Sequence, residues 1–250
     1  MKKETMLAFA LASLAACGGD SSSSIDAPVG PGHDAPGTGV DAAPLPTMIT
    51  ISGVASTISI SGKVPTAGVM IVAKKASDDS TISMTTSAAD GTFSISAPTS
   101  GSPVDAYLIA TKSGDLDTYL YPPGPLSKDF ANIPVFVLTA STRDLANQIG
   151  GANPQAATES WVGAVIQDAN STAVAGAVFT ATPAGGMIHY NSSSGQPQAQ
   201  ATSTAVDGTA YYMNAPAGNV TVGATMTGMT FHSHTINARA GKITLTLVTP

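Results

Sequence analysis

The chain has 250 residues, a formal net charge of −6 and only 10% charged side chains, against about a quarter in an average soluble domain. A net acidic chain without a basic cluster excludes nucleic acid as a partner and has nothing with which to grip anionic lipid headgroups. Its single cysteine, Cys17, excludes an intramolecular disulfide, so packing has to hold the fold together.

The chain opens with Met1-Lys2-Lys3 and an apolar run over residues 6–16, closed by small Ala15 and Ala16 before Cys17. A positive start, a short apolar run and small residues at a cleavage point describe a secretory signal, and the run is too short to span a bilayer. With Gly18 and Gly19 behind it, the segment resembles the lipobox of bacterial lipoproteins. The resemblance implies that residues 1–16 are a signal peptide and that Cys17 is the acylated first mature residue. It also implies an exported protein held on the lipid bilayer through acylated Cys17, in the cell envelope, on the outer membrane facing the periplasm or the surface.

Residues 17–46 read as a tether. Four serines (residues 21–24) lead into Pro28, Pro31, Pro36, Pro44 and Pro46, interleaved with glycines and with Asp20, Asp26, Asp34 and Asp41. Such a stretch buries too little apolar surface to offset its ordering entropy and is expected to be disordered, with a root-mean-square reach of roughly 30 Å.

Beyond the tether the same signals occur twice in the same order. Ile49-Thr50-Ile51-Ser52-Gly53-Val54 is answered by Trp161-Val162-Gly163-Ala164-Val165-Ile166, and Ala67-Gly68-Val69 by Ala175-Gly176-Ala177. Asp90-Gly91-Thr92 is answered by Asp207-Gly208-Thr209, Ala97-Pro98 by Ala215-Pro216, and Ser113-Gly114 by Thr227-Gly228. Short β-branched runs punctuated by Gly, Pro, Asp and Asn predict an all-β fold: two tandem small antiparallel β-sandwiches over residues 47–140 and 160–250. Phe93 and Ile95 alternate with Ser94 and Ser96, which predicts one inward face and one toward water. Each Asp-Gly predicts a type I′ hairpin turn. A linker over residues 141–159 carries a short helix at residues 142–149, capped by Thr142, burying Leu145 and Ile149 and stopped by Gly150. Trp161 starts a strand and is expected in the second core or between the units.

The order of Gly53, Ala67-Gly68-Val69, Asp90-Gly91-Thr92-Phe93 and Ser113-Gly114, repeated in the second unit, resembles the carboxypeptidase regulatory-like domains, a transthyretin-like group of small β-sandwiches. That resemblance implies a spacer or scaffold fold of exported proteins rather than an activity.

Residues 115–130 gather Tyr119, Tyr121 and Phe130 around Pro122, Pro123 and Pro125, in a chain only 5% aromatic. The segment reads either as a contact loop offering rigid aromatic faces to an envelope protein or glycan, or as a cover over an open sheet edge. His232 and His234 share a face if they lie on a strand, and His189 would complete a three-nitrogen set for zinc or copper in a periplasmic metal carrier. Exposed histidines on a polar strand are the plainer reading, since no acid or cysteine stands close in sequence. The turn aspartates supply one carboxylate each, too few for calcium, and read as turn formers. No Gly-x-Ser-x-Gly elbow, dinucleotide fingerprint or phosphate loop occurs, so neither an enzyme nor a cofactor is expected. The expected function is a non-catalytic structural, adhesion or binding module, with a carbohydrate-binding module or a metal carrier as alternatives.

Overall fold

The computed structural model describes residues 44–59 and 62–250. Cys17, the signal segment and the tether up to residue 43 lie outside the described residues. The first repeat forms β1 (Met48–Ser59), β2 (Gly62–Pro65), β3 (Met70–Lys75), β4 (Thr81–Thr86), β5 (Thr92–Pro98), β6 (Ala106–Thr111), β7 (Thr118–Tyr121) and β8 (Phe130–Val137). A helix, α1 (Ala140–Gly150), follows. The second repeat forms β9 (Glu159–Ile166), β10 (Val178–Thr182), β11 (Met187–Asn191), β12 (Pro197–Gln198), β13 (Thr209–Pro216), β14 (Gly218–Met226), β15 (Met229–Thr230), β16 (His234–Ala238) and β17 (Ile243–Val248). The described residues are all-β apart from α1.

The repeat is visible in the strand pairing. In the first copy β1 pairs antiparallel with β5 and parallel with β8, and in the second β9 pairs antiparallel with β13 and parallel with β17. Likewise β6 lies antiparallel between β3 and β7, as β14 lies between β10 and β16. The sheets that hold β1 and β9 are therefore mixed rather than purely antiparallel, because the last strand of each repeat returns beside the first, while the sheet of β10, β14, β15 and β16 is antiparallel throughout. Such a parallel return needs a long crossover, and the intervening strands supply it.

The two sandwiches are not joined by the linker alone. Strand β17 also pairs parallel with β7, Ile243 to Thr118 through Thr246 to Tyr121, and fuses two half-sheets into one nine-stranded sheet ordered β12-β11-β13-β9-β17-β7-β6-β3-β4. An unpaired β7 or β17 would leave an open row of backbone donors and acceptors, and the fusion closes both. Side chains alternate across a sheet, and the two copies bury opposite faces of it. Leu120 packs against the core of the first sandwich, formed by Ile49, Ile51, Ile71, Phe93, Ile95, Leu108, Val135 and Val137 among others. Its neighbour Tyr121 packs against the second core, around Val162, Ile166, Phe179, Tyr212, Val222 and Ile236. A third cluster, with Phe136, Leu138, Trp161, Tyr211, Met213, Ile243 and Leu245, fills the joint, so Trp161 sits between the repeats.

Strand β5 alternates as the sequence predicts, with Phe93, Ile95 and Ala97 buried and Ser94 and Ser96 exposed. The Asp-Gly turns differ from expectation. They are not I′ hairpins: only the glycines have positive φ, +80° at Gly91 and +64° at Gly208. Strands β4 and β5 belong to different sheets, so the first turn carries the chain across the sandwich. Each glycine is pinned the same way: Gly91 O accepts from Ala55 N–H at 2.8 Å, and Gly208 O from Ile166 N–H at 2.8 Å.

Helix α1 starts earlier than expected, capped by Thr139, whose hydroxyl accepts from Thr142 N–H, and ends at Gly151 in the left-handed region (φ +86°). Its inward face is Thr142, Arg143, Ala146, Asn147 and Gly150, while Ile149 is exposed. The joint needs hydrogen-bonding groups there more than apolar ones. Fully buried Asn147 accepts from Trp161 Nε1 at 3.0 Å and donates to Asn214 Oδ1 at 2.8 Å and to the Asn153 carbonyl at 3.1 Å.

Candidate functional site

The structure places Tyr119 and Tyr121 on β7, in the interior of the nine-stranded sheet between β6 and β17, rather than in a loop or over an open edge. Their partner was not anticipated. Tyr107 of β6 stacks on Tyr121 with ring centroids 4.8 Å apart and lies 6.0 Å from Tyr119. From the second repeat, Arg239 sets its guanidinium 5.0 Å from the Tyr119 ring centroid and donates to both Asp79 oxygens, at 3.0 and 2.9 Å. Tyr107 donates its hydroxyl to Asp79 at 2.6 Å, and these two donors hold the Asp79 carboxyl below its ordinary range. Burial and the adjacent carboxylate push the Tyr107 hydroxyl well above the usual tyrosine range, so it stays protonated. The tyrosine–arginine group ties the copies together, and the Tyr119 ring is already occupied by Arg239.

Tyr121 and Phe130 do meet at a cavity. The segment after β7 folds over the open end of the first core and leaves a partly open, mostly apolar space of about 380 Å³. Ile51, Leu108, Leu120, Leu126, Phe130 and Ile133 wall it from the first repeat, with Tyr121, Pro122 and Pro123 at its border. The second repeat closes it with Gln167, Ser171, Leu247 and Thr249. Tyr119 is not part of it. Gln167, 1% exposed, carries a side-chain amide nitrogen without a hydrogen-bond partner among the described residues. Lys128 and Asp129 flank the mouth with opposite charges, and Asp129 Oδ1 accepts from Thr50 N–H at 2.7 Å. Two of the five non-glycine residues with positive φ among the described residues, Asn132 (+59°) and Ser171 (+62°), line this same space. Strained backbone gathers at ligand clamps more than elsewhere.

The three histidines are not brought together. His189 lies on β11, buried near Gly150 and Met213, with neither ring nitrogen bonded among the described residues. Its removal from water lowers its pKa. Strand β16 begins only at His234, so His232 and His234 do not share a strand face. His234 Nε2 bonds Thr246 Oγ1 at 2.8 Å, and burial lowers its pKa too. Among the described residues no three His, Cys, Asp or Glu side chains form a group able to hold a metal. The turn carboxylates are engaged by their own turns: Asp90 Oδ1 accepts from Thr92 N–H and hydroxyl, and Asp207 from Thr209 N–H and Asn191 Nδ2.

The sequence reading missed two buried hydroxyls that pin the repeats. Ser87 Oγ accepts from Val69 N–H at 3.0 Å and donates to the Thr66 carbonyl at 2.7 Å. Thr204 Oγ1 does the same with Ala177 N–H and the Val174 carbonyl, at 3.0 and 2.6 Å. The signal was present in Ser87-Ala88-Ala89-Asp90-Gly91-Thr92 against Thr204-Ala205-Val206-Asp207-Gly208-Thr209, where a hydroxyl residue stands three places before each aspartate. Gln167 carried no such signal.

No family model matches the chain, and no curated protein matches it. Among solved structures it is similar to shaft pilin SpaA from Lactobacillus rhamnosus GG, at 14% identity and a TM-score of 0.26, covering 82% of this chain and 98% of that one. The minor pilin GBS52 of Streptococcus agalactiae gives 12% and 0.26, covering 80% and 95%. The major pilin RrgB of Streptococcus pneumoniae gives 8% and 0.26, covering 82% and 49%. The strand pairings, not these distant likenesses, define the architecture. Among the described residues no helix is long and apolar enough to cross a membrane.

Proposed function

We propose that this chain is a lipid-anchored, non-catalytic binding module of the cell envelope, in which a rigid pair of sandwiches holds a ligand in the cavity between them. The observation that carries this reading is the cavity of about 380 Å³, walled by Phe130 and Leu126 from one repeat and by Gln167 and Leu247 from the other. That volume falls in the range of small-molecule sites, which favour concave apolar walls with few polar groups. The nine-stranded sheet supports rigidity, because a ligand site shared by two units keeps its shape only if the units are fixed. The anchor follows from the lipobox-like residues around Cys17. The aromatic binding set narrows to Tyr121 and Phe130, with Tyr119 given to the joint.

The test has two arms. Cys17→Ser should abolish incorporation of a palmitate analogue, and equal labelling would remove the anchor from the proposal. A photo-crosslinking residue placed at Phe130 in intact cells should trap an envelope component, whereas one at Met84, exposed on the far edge strand β4, should not. Equal trapping from both positions would argue against the cavity as the binding site.

A further inference from the structure

We propose that the free edge of β5 is a self-association surface, on which a second copy of this chain adds its own β5 antiparallel, so that the two first sandwiches share one continuous sheet. The surface is separate from the cavity and does not depend on it.

The two repeats treat this strand differently. In the second, β13 runs between β9 and β11, with Tyr211 opposite His189 and Met213 opposite Met187 on its outer side. In the first, the segment in the place of β11 is β4, which goes to the other sheet and pairs with β3, so β5 has only β1 beside it among the described residues. Matching Ala55 N–H to Gly91 O with Ile166 N–H to Gly208 O makes Ser94 the counterpart of Tyr211 and Ser96 that of Met213. The same bond, with Thr99 N–H to Thr47 O at the other end, turns the odd-numbered residues of β5 toward β1. The N–H and C=O of Ser94 and Ser96 therefore point outward, unpaired by any strand among the described residues. Lys63 and Pro65 blunt the edge at β2 and Pro134 that at β8, whereas β5 carries no charge and no proline before Pro98.

A second copy of β5 fits this edge residue by residue. With Ser94 opposite Ser96 of the second copy, and the reverse, each pair exchanges both backbone hydrogen bonds about a two-fold axis at Ile95. Thr92 then stands opposite Pro98. Proline has no N–H to offer, and Thr92 needs none: its carbonyl accepts from Ala88 N–H at 2.8 Å, and its own N–H donates to Asp90 Oδ1 at 3.0 Å. On the inward side Phe93 meets Ala97, large against small, as Tyr190 meets Ala210 within the second repeat. Charge allows the same register, because Asp90 falls opposite Ser100 and no like charges are opposed from there to the axis. The tether is a poor competitor for the edge, since Pro28, Pro31 and Pro36 interrupt it.

The test is sedimentation velocity of the full chain carrying Cys17→Ser, so that no acyl group drives association, between about 1 and 300 µM. The chain should pass from monomer to dimer over this range. Ser94→Lys with Ser96→Lys sets like charges opposite each other across the seam and should weaken the dimer at least about tenfold. Ser94→Lys with Ser96→Glu sets opposite charges there instead and should restore the dimer or tighten it. Both serines are exposed, so neither pair of substitutions should disturb the fold, and circular dichroism with the melting temperature checks that each variant is folded. A wild-type chain that stays monomeric throughout the range overturns the proposal. So does a dimer that survives the two lysines undiminished, because it then forms through another surface. A dimer weakened equally by both charge pairs overturns the register.

Discussion

Trp161 and Asn147 face each other across the joint of the two repeats, with the indole N–H donating to the amide oxygen over 3.0 Å. Because Asn147 also holds Asn214 and the Asn153 carbonyl, one side chain on α1 satisfies three polar groups drawn from three segments, the indole N–H among them fully buried. Asn147→Ala leaves the indole N–H unpaired in a dry interior and should destabilise by about 2–4 kcal/mol. The urea midpoint, followed by Trp161 fluorescence at unchanged m-value, measures it. An unshifted midpoint would show that the network carries little weight.

The glycines separate two costs that are usually confounded. Gly91 and Gly208 combine positive φ with a Cβ position only 2.5 Å from the carbonyl oxygens of Ala55 and Ile166. At Gly68 and Gly176 φ is also positive, but a Cβ would meet nothing within 4 Å. Gly91→Ala or Gly208→Ala should therefore cost about 3 kcal/mol or more, and Gly68→Ala or Gly176→Ala only about 1 kcal/mol. Equal melting shifts at all four positions would refute the steric part of the argument.

Ser87 and Thr204 predict a local effect. Ser87→Ala removes the acceptor for Val69 N–H, and Thr204→Val the acceptor for Ala177 N–H. Each should cost about 2 kcal/mol and speed hydrogen exchange at its own amide more than at those of the other repeat. Uniform acceleration throughout the chain would mean that the hydroxyls act only through global stability.

His189 gives a pH dependence with a definite sign. Its pKa is lowered by burial in the folded state, so the unfolded chain binds the extra proton first as pH falls below the ordinary histidine value. Stability is full above about pH 6.5 and declines from there toward pH 5, with His234 contributing in the same direction. His189→Phe should flatten that decline in melting temperature between pH 7 and 5. A wild-type melting temperature constant over this window would contradict the prediction.

What the sequence revealed and what it hid divide along a physical line. Alternation at Phe93 and Ile95, glycines that must hold positive φ, and the repeated order of signals are local, and each appears in the structure where the residues place it. The role of Tyr119 and Tyr121 is not local. Four residues flanked by a turn and prolines look like a loop until a partner is supplied, and that partner, β17, bonds them across 125 residues of chain through Thr246 and the Tyr121 carbonyl. The inward face of α1 was misread for a related reason. Periodicity finds apolar stripes, and this helix buries a polar one because Trp161 and Asn214 need what Asn147 provides. The Tyr–Pro segment did mark the neighbourhood of the cavity, but its second wall and Gln167 come from the other repeat.

Strand order has a consequence for biogenesis. Both neighbours of β17, β7 and β9, precede it in the chain, so during synthesis they wait with open edges until β17 arrives. The first repeat therefore matures while still exposing the surface on which it will later close, and a ribosome stalled before Ile243 would release a chain with two sticky margins. Quality control of this protein then turns on six residues: a product lacking Ile243–Val248 is destined for aggregation or proteolysis even though most of its apolar interior has already been made.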